Sequence, residues 1–184
     1  MLREALSDDA PAIAALHVAS WRDAYAHILD PAFLAGPVEE DRMRCWTGRF
    51  ADPRPDQHVV LALDGEQPAG FVCVFAEQDP VWGALVDNLH VLPGLRGRGI
   101  GAQLLGRAAE WVDTVRPGSP LHLWVFEANR PAMQFYERMG AQPGERVASG
   151  MTGAEGHYVI RLTWPAAQSV GRAGQAIVQP RAEP

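Results

Sequence analysis

Asn88-Leu89-His90-Val91-Leu92-Pro93-Gly94-Leu95-Arg96-Gly97-Arg98-Gly99-Ile100-Gly101 is the stretch on which the fold turns. It opens as an apolar strand, breaks at Pro93-Gly94 and enters a helix near Gly99. Glycines at 97, 99 and 101 leave the backbone uncovered where the helix begins. The first N–H groups of a helix have no intrahelical partner, and the helix dipole adds positive potential there. Such an end suits an anion, a pyrophosphate in particular, and Arg96 and Arg98 add charge beside it. The rival dinucleotide fingerprint, Gly-x-Gly-x-x-Gly, is not met, because Ala102 and Leu104 stand where its third glycine belongs. A plain tight turn also uses glycine, so the glycines alone leave phosphate site and turn equally open.

Downstream, Ile100, Leu104, Ala108, Trp111 and Val115 recur at helical spacing, so a helix is predicted over 99–115 until Pro117-Gly118 stops it. Leu121–Phe126 reads as a strand and Pro131–Met139 as a helix closed by Gly140. Gln142–Val147 and His157–Trp164 read as a final strand pair. Upstream, the runs His58–Leu63 and Ala69–Ala76 form a hairpin around Asp64-Gly65-Glu66, and Val81–Leu92 is a third strand. The N-terminal part carries a short strand at Leu2–Ala5. A helix with Ile13, Leu16, Trp21, Tyr25 and Ile28 on one face follows, then a second helix over about Val38–Phe50. The order predicts one α/β (α+β) domain with a single mixed sheet, spanning 1–164, and an aperiodic, poorly ordered tail over 165–184.

Composition removes whole classes of function. The chain has 184 residues, 47% hydrophobic and 21% charged, enough for one self-sufficient core. All 16 basic residues are arginine; there is no lysine. A P-loop and a Schiff-base enzyme both need one, so neither is present. The net charge of -6 argues against a nucleic-acid partner. No signal-like or membrane-length apolar run occurs; the longest is Ala69–Ala76. Cys45 and Cys73 lie among apolar neighbours and read as buried free thiols, and the six histidines are scattered without metal-ligand spacing. A cytoplasmic, metal-free domain is expected.

Arg96-x-x-Gly99-x-Gly101 after a strand ending Val91-x-Pro93 resembles the acetyl-CoA signature of the GNAT superfamily of N-acetyltransferases, bacterial type. Asn129-Arg130-Pro131-Ala132-Met133-Gln134-Phe135-Tyr136-Glu137-Arg138-Met139-Gly140-Ala141 resembles a second element of that family, with Ala141 in place of the usual aromatic. The element order matches from about Leu2 to Trp164. The resemblance implies a mostly antiparallel mixed sheet flanked by helices, in which a splayed strand pair holds acetyl-CoA as co-substrate. Backbone groups of Leu89, His90 and Val91 would pair with the pantetheine arm. Arg96, Gly97, Arg98, Gly99, Ile100 and Gly101 would hold the pyrophosphate, and Asn129 the pantetheine or its loop. Tyr136 would give a proton to the departing thiolate, while an amine acceptor attacks directly. Trp21, Arg22 and Tyr25 would line the acceptor pocket. For the base, Asp87 and His90 rank just above Glu77 and Glu127, with water relaying to solvent as the other route.

Plain structural readings stand beside these. Tyr136 falls on an apolar helix face and Asn129 near a helix start, His90 alternates with strand core residues, and Trp21 and Tyr25 fit packing at i, i+4. A second class of function shares the motifs: a non-catalytic acyl-CoA-binding or sensing domain. Dimers are common in the family, so a homodimer is compatible with the resemblance.

Overall fold

The computed structural model describes residues 1–171. Seven strands form one sheet in the order β1-β2-β3-β4-β5-β7-β6. They are β1 (Leu2–Glu4), β2 (Gln57–Asp64), β3 (Gln67–Asp79), β4 (Gly83–Val91), β5 (Leu121–Phe126), β6 (Gln142–Ala148) and β7 (Tyr158–Trp164). Every neighbouring pair is antiparallel except β4 and β5. The α/β mixed-sheet reading holds.

Period-two alternation decides which residues face which layer. Val60, Val72, Val74, Leu121, Leu123 and Leu162 turn to one face, where α4 (Ile100–Val115) and α5 (Arg130–Arg138) cover them. Val59, Leu61, Phe71, Cys73 and Phe75 turn to the other, under α1 (Ala10–Ala24) and α3 (Pro37–Ala51). Trp46 on α3 is fully buried there, which ties α3 to the sheet.

The N-terminal helix is shorter than the apolar spacing predicts. It ends at Ala24, and a separate short helix α2 (Pro31–Ala35) starts where Asp30 accepts a hydrogen bond from Ala32 N–H at 2.9 Å. The Asp30-Pro31 pair is therefore a helix start as well as a break. Beyond Trp164 the chain stays docked, contrary to the tail expected from 165 onward. Ala167 is fully buried, its N–H bonds to Ser119 O at 2.9 Å, and Gly171 N–H bonds to Met139 O at 2.8 Å. Small apolar residues with turn geometry need no periodicity to dock. The remainder of that expectation, 172–184, lies outside the described residues.

Two features of β4 shape the site. Register with β5 exists only at Ala84–Leu121 and Leu85–His122, after which the strands share no pairing and a V opens. The pairing of β4 with β3 also slips by one residue, because Val74 pairs with Val86 but Cys73 pairs with Asn88. Asp87 is thus the extra residue of a β-bulge, which bends β4 at the root of the V. Gly83 sits at that root with φ +68, and an added Cβ would strike the Pro120 carbonyl and Ser119 Oγ. Both the φ and the backbone obstacle oppose a side chain. Gly83→Ala is expected to lower Tm by about 2–4 °C or more, roughly 1 kcal/mol or above, by thermal unfolding; an unchanged Tm would show that the apex yields freely.

Candidate active site

The V between β4 and β5 is the mouth of a cleft of about 560 Å3. Strand alternation divides its walls. Leu89, Leu123, Val125, Phe135 and Tyr136 face it from the α4/α5 side, whereas Asn88, His90 and Trp124 face it from the side of α1, together with Ser20, Asp23 and Tyr25. From Val86 to Val91 the β5-facing edge of β4 has no partner strand, which leaves backbone donors and acceptors for an extended ligand.

At the end of β4 a short 3-10 turn over Pro93–Leu95 leads into Gly97, with φ +78, and Gly99, with φ +80. Gly99 is the N-cap of α4, and the N–H groups of Gly97, Arg98 and Gly99 donate to no backbone carbonyl among the described residues. With the first amides of α4 they form a concave anion cradle, and the left-handed backbone explains why glycine is needed at both positions. Gly101 lies on the helix against Phe135, its Cβ position 3.4 Å from the ring, so α4 and α5 close on each other there. The two arginines behave differently from the glycines. Arg96 bonds Val91 O at 3.3 Å and pairs with Asp23 of α1 across the cleft, and Arg98 pairs with Asp64 at 3.6 Å. Both guanidinium groups thus have protein partners, while the loop amides have none among the backbone carbonyls of the described residues.

Asn129 is the N-cap of α5, its Oδ1 accepting from Ala132 N–H at 3.3 Å, and it also lines the cleft. The plain reading of Asn129 is therefore present, and its amide nitrogen is left over for a ligand. Tyr136 lines the cleft with its ring edge-on to Phe135 at 5.0 Å and Trp164 at 6.3 Å. Burial raises its phenol well above the ordinary value, with nearby Tyr25 adding to the effect, so the hydroxyl stays a donor throughout the working pH range. Burial likewise pushes Tyr25 up to about 12, against a smaller opposing pull from Arg96.

Every side chain considered as a base is occupied or unsuited. Asp87 pairs with Arg49 at 2.7 Å and accepts from Asn88 Nδ2. Glu77 pairs with Arg116, and Glu127 with Arg146 at 2.8 Å, which holds the Glu127 carboxyl below the usual range. His90 lies within 2.9 Å of Ser20 Oγ through Nδ1, and burial, then the charges of Arg96 and Arg42, lower its pKa to about 3. Burial therefore favours a neutral His90 in the wall of the cleft.

Trp21 and Arg22 do not line the cleft. Trp21 is buried, with the Arg42 guanidinium 4.5 Å over its ring. Arg22 donates to Leu34 O at 2.8 Å and pairs with Glu39 at 2.9 Å, so it braces α1 against α2 and α3. Of the three, only Tyr25 reaches the site. The residues missed by sequence reasoning are Ser20, Asp23, Asn88 and Trp124. Ser20 and Asp23 stand at i, i+3 on α1, and Trp124 is the out-of-phase member of the Leu121, Leu123, Val125 alternation, so helical and strand periods carried those signals. The bulge that brings in Asn88 left none.

Behind His90 lies a second neutral histidine. Trp46 Nε1–H donates to His17 Nδ1 at 3.0 Å, so the His17 proton sits on Nε2, which is buried without a partner. The two imidazoles are 4.4 Å apart, and burial, then His90 and two arginines, push His17 well below its ordinary pKa. The sign follows directly. The unfolded chain binds protons at these positions below about pH 6.5 while the native state does not, so stability falls as pH drops through that value. Stability measured by urea titration is expected to decline between pH 6.5 and 5, before most carboxylates titrate, by about 1.4 kcal/mol per pH unit for each such histidine. A flat profile over that window would mean that both rings charge readily in the fold.

Cys73 is buried and Cys45 half-buried; both are free thiols, and burial pushes Cys73 up to about 12. No cluster of three or more metal-ligating side chains occurs among the described residues. None of their helices is long and apolar enough to cross a membrane.

Residues 15–141 match the acetyltransferase (GNAT) family. The chain belongs to that family. It is similar to a probable N-acetyltransferase of Mycobacterium tuberculosis, 31% identical over 143 residues that span 74% of this chain and 76% of that protein. It is 34% identical over 124 residues to the streptothricin acetyltransferase of Streptomyces lavendulae, covering 64% of this chain and 61% of that enzyme. Among solved structures, the PaiA N-acetyltransferase of Thermoplasma acidophilum, in complex with coenzyme A, superposes with a TM-score of 0.70. That likeness covers 89% of this chain and 98% of the other at 16% identity, and it is a likeness of fold. As a member of the GNAT family the protein is an acyltransferase, an acetyl-CoA-dependent N-acetyltransferase.

Proposed function

We propose that this GNAT enzyme transfers the acetyl group of acetyl-CoA directly to a primary amine at the V between β4 and β5. The observation that carries the reading is the V itself, whose unpaired β4 edge runs straight into the Gly97–Gly101 amide cradle. The pantetheine arm adds to the edge at Leu89, His90 and Val91 like an extra strand, and the pyrophosphate sits on the amides from Gly97 to Gly101. Asn129 offers its amide nitrogen to the arm.

The amine nitrogen attacks the thioester carbonyl, the C–N bond forms and the C–S bond breaks. The leaving sulfur takes up one proton, with Tyr136 as its hydrogen-bond donor, and the attacking nitrogen gives up one. Backbone N–H groups of the β4 edge polarise the carbonyl. No protein nucleophile takes part, in keeping with the inert Cys73. Because the carboxylates are paired and His90 stays neutral, the ammonium loses its proton through water to bulk solvent. The pH profile of kcat/KM should then follow the pKa of the chosen amine and carry no limb near pH 6.5. A limb that stays fixed when the amine is changed, and disappears in His90→Gln, would return the base role to His90.

The test of the function is thiol release from acetyl-CoA in the presence of a panel of primary amines. Release that depends on amine supports transfer. Saturable acetyl-CoA binding without release for any amine would support the sensing domain instead. We further propose a cytoplasmic location and a homodimer, the latter tested by light scattering of the full chain, where a monomer mass would overturn it.

A further inference from the structure

The acceptor wall on the α1 side is aromatic and electrically balanced. Its two carboxylates are each matched by an arginine, Asp23 by Arg96 and Asp87 by Arg49. Its aromatic surface comes from Tyr25, whose ring is edge-on to Phe126 at 5.2 Å, and from Trp124.

Trp124 is 36% exposed, an unusual state for an indole inside a cleft. It is also backed by a cation. The Arg161 guanidinium lies 4.5 Å from its ring and 4.6 Å from the ring of Trp82, and Glu145 pairs with Arg161 at 2.9 Å. Arg161 sits on β7, directly opposite Trp124 in the β5–β7 register. β4 and the opening of the V lie on the other side of β5. Trp124 lines the cleft, so part of its exposed surface is presented there.

A guanidinium already draws on the π-cloud of this ring, and a second cation against its exposed surface would compete with the first for it. A flat, uncharged ring gains stacking and apolar burial there without that cost. Nor does this wall keep an unpaired carboxylate to receive a second charge on the acceptor.

We infer that Trp124 is a specificity-determining residue and that the acceptor is an aromatic primary amine, its planar group packed on Trp124 while its amine reaches the thioester. This rests on the transfer reading above and names its substrate class.

The experiment compares kcat/KM for phenethylamine and tryptamine with that for spermidine, lysine and streptothricin at equal concentrations of free amine. The aromatic amines are expected to lead by about tenfold or more. Trp124→Ala should erase that lead, mainly through the KM of the aromatic amines, with the Kd of acetyl-CoA unchanged, and Trp124→Phe should restore most of it. Preference for a polyamine or streptothricin, or a Trp124→Ala loss shared equally by all amines, would overturn the aromatic class while leaving transfer standing. Absence of release with every amine would overturn both. Should Trp124→Ala misfold, Trp124→Phe and Trp124→Leu give the same comparison, since only Phe keeps a stacking face.

Discussion

Tyr136→Phe should lower kcat roughly tenfold to a thousandfold while leaving the Kd of acetyl-CoA and the Tm nearly unchanged. Burial and Tyr25 are what act on the hydroxyl, with no hydrogen bond from the described residues among the causes, so its removal should cost the fold little. The ring does the packing, against Phe135 and Trp164, and Phe keeps the ring. What the proposed mechanism loses is the donor to the departing sulfur. The size of the loss follows from acidity. A thiol ordinarily titrates near 8.5, and burial holds Tyr136 well above the phenol value of about 10. Complete transfer to the sulfur is uphill, so the phenol stabilises the developing thiolate through a hydrogen bond and passes its proton late. That places the effect toward the lower half of what general acids usually supply. The check is steady-state thiol release together with equilibrium binding of acetyl-CoA. An unchanged kcat would return Tyr136 to the core, and a loss confined to acetyl-CoA affinity would make it a binding residue.

Much of this was legible in residue order, and the exceptions share a cause. The alternation of β2 and β3 and the three- and four-residue steps of α4 encode which face each residue buries, because each depends only on neighbours in the chain. The Gly97 and Gly99 turn was legible for the same reason, since a left-handed backbone has a local signature in glycine. The V was not. It arises where β4 stops pairing with a strand almost forty positions away and where Asp87 slips the register with β3, and neither event marks the residues involved. Side-chain partnership across the fold was equally hidden. Arg96 looked like a phosphate ligand and is held by Asp23; Asp87 looked like a base and is held by Arg49. Trp21 carried the same appearance as Tyr25, one turn away on α1, yet Trp21 faces Arg42 in the core and Tyr25 faces the cleft. A motif names the residue type required at a position. Only the packing of distant elements decides which polar groups remain unmatched and therefore available for chemistry.

The cradle makes the other large effect. Gly99→Val should reduce acetyl-CoA affinity at least a hundredfold. At φ +80 a residue with a Cβ costs about 1–2 kcal/mol, more when it is β-branched, so the backbone moves toward ordinary helical values and turns its amides away. The isopropyl group would also stand beside the Gln103 amide, 3.8 Å from where a Cβ would lie, over the first turn of α4. Each charge-assisted bond from an amide to a phosphate contributes about 1.5–3 kcal/mol. Losing two of them corresponds to about 3–6 kcal/mol, and each 1.4 kcal/mol is tenfold in Kd. Gly99→Ala separates the causes, because it carries the strain with less cover and should fall between the two. Helical content by circular dichroism should change little, since α4 is anchored by Leu104, Leu105, Ala108 and Val112 beyond its first turn. Isothermal titration with acetyl-CoA and with 3′-dephospho-CoA then locates the contact. Equal losses for both put the effect on the pyrophosphate, whereas a loss for acetyl-CoA alone would move this loop to the 3′-phosphate, and full affinity would remove it from the phosphates altogether.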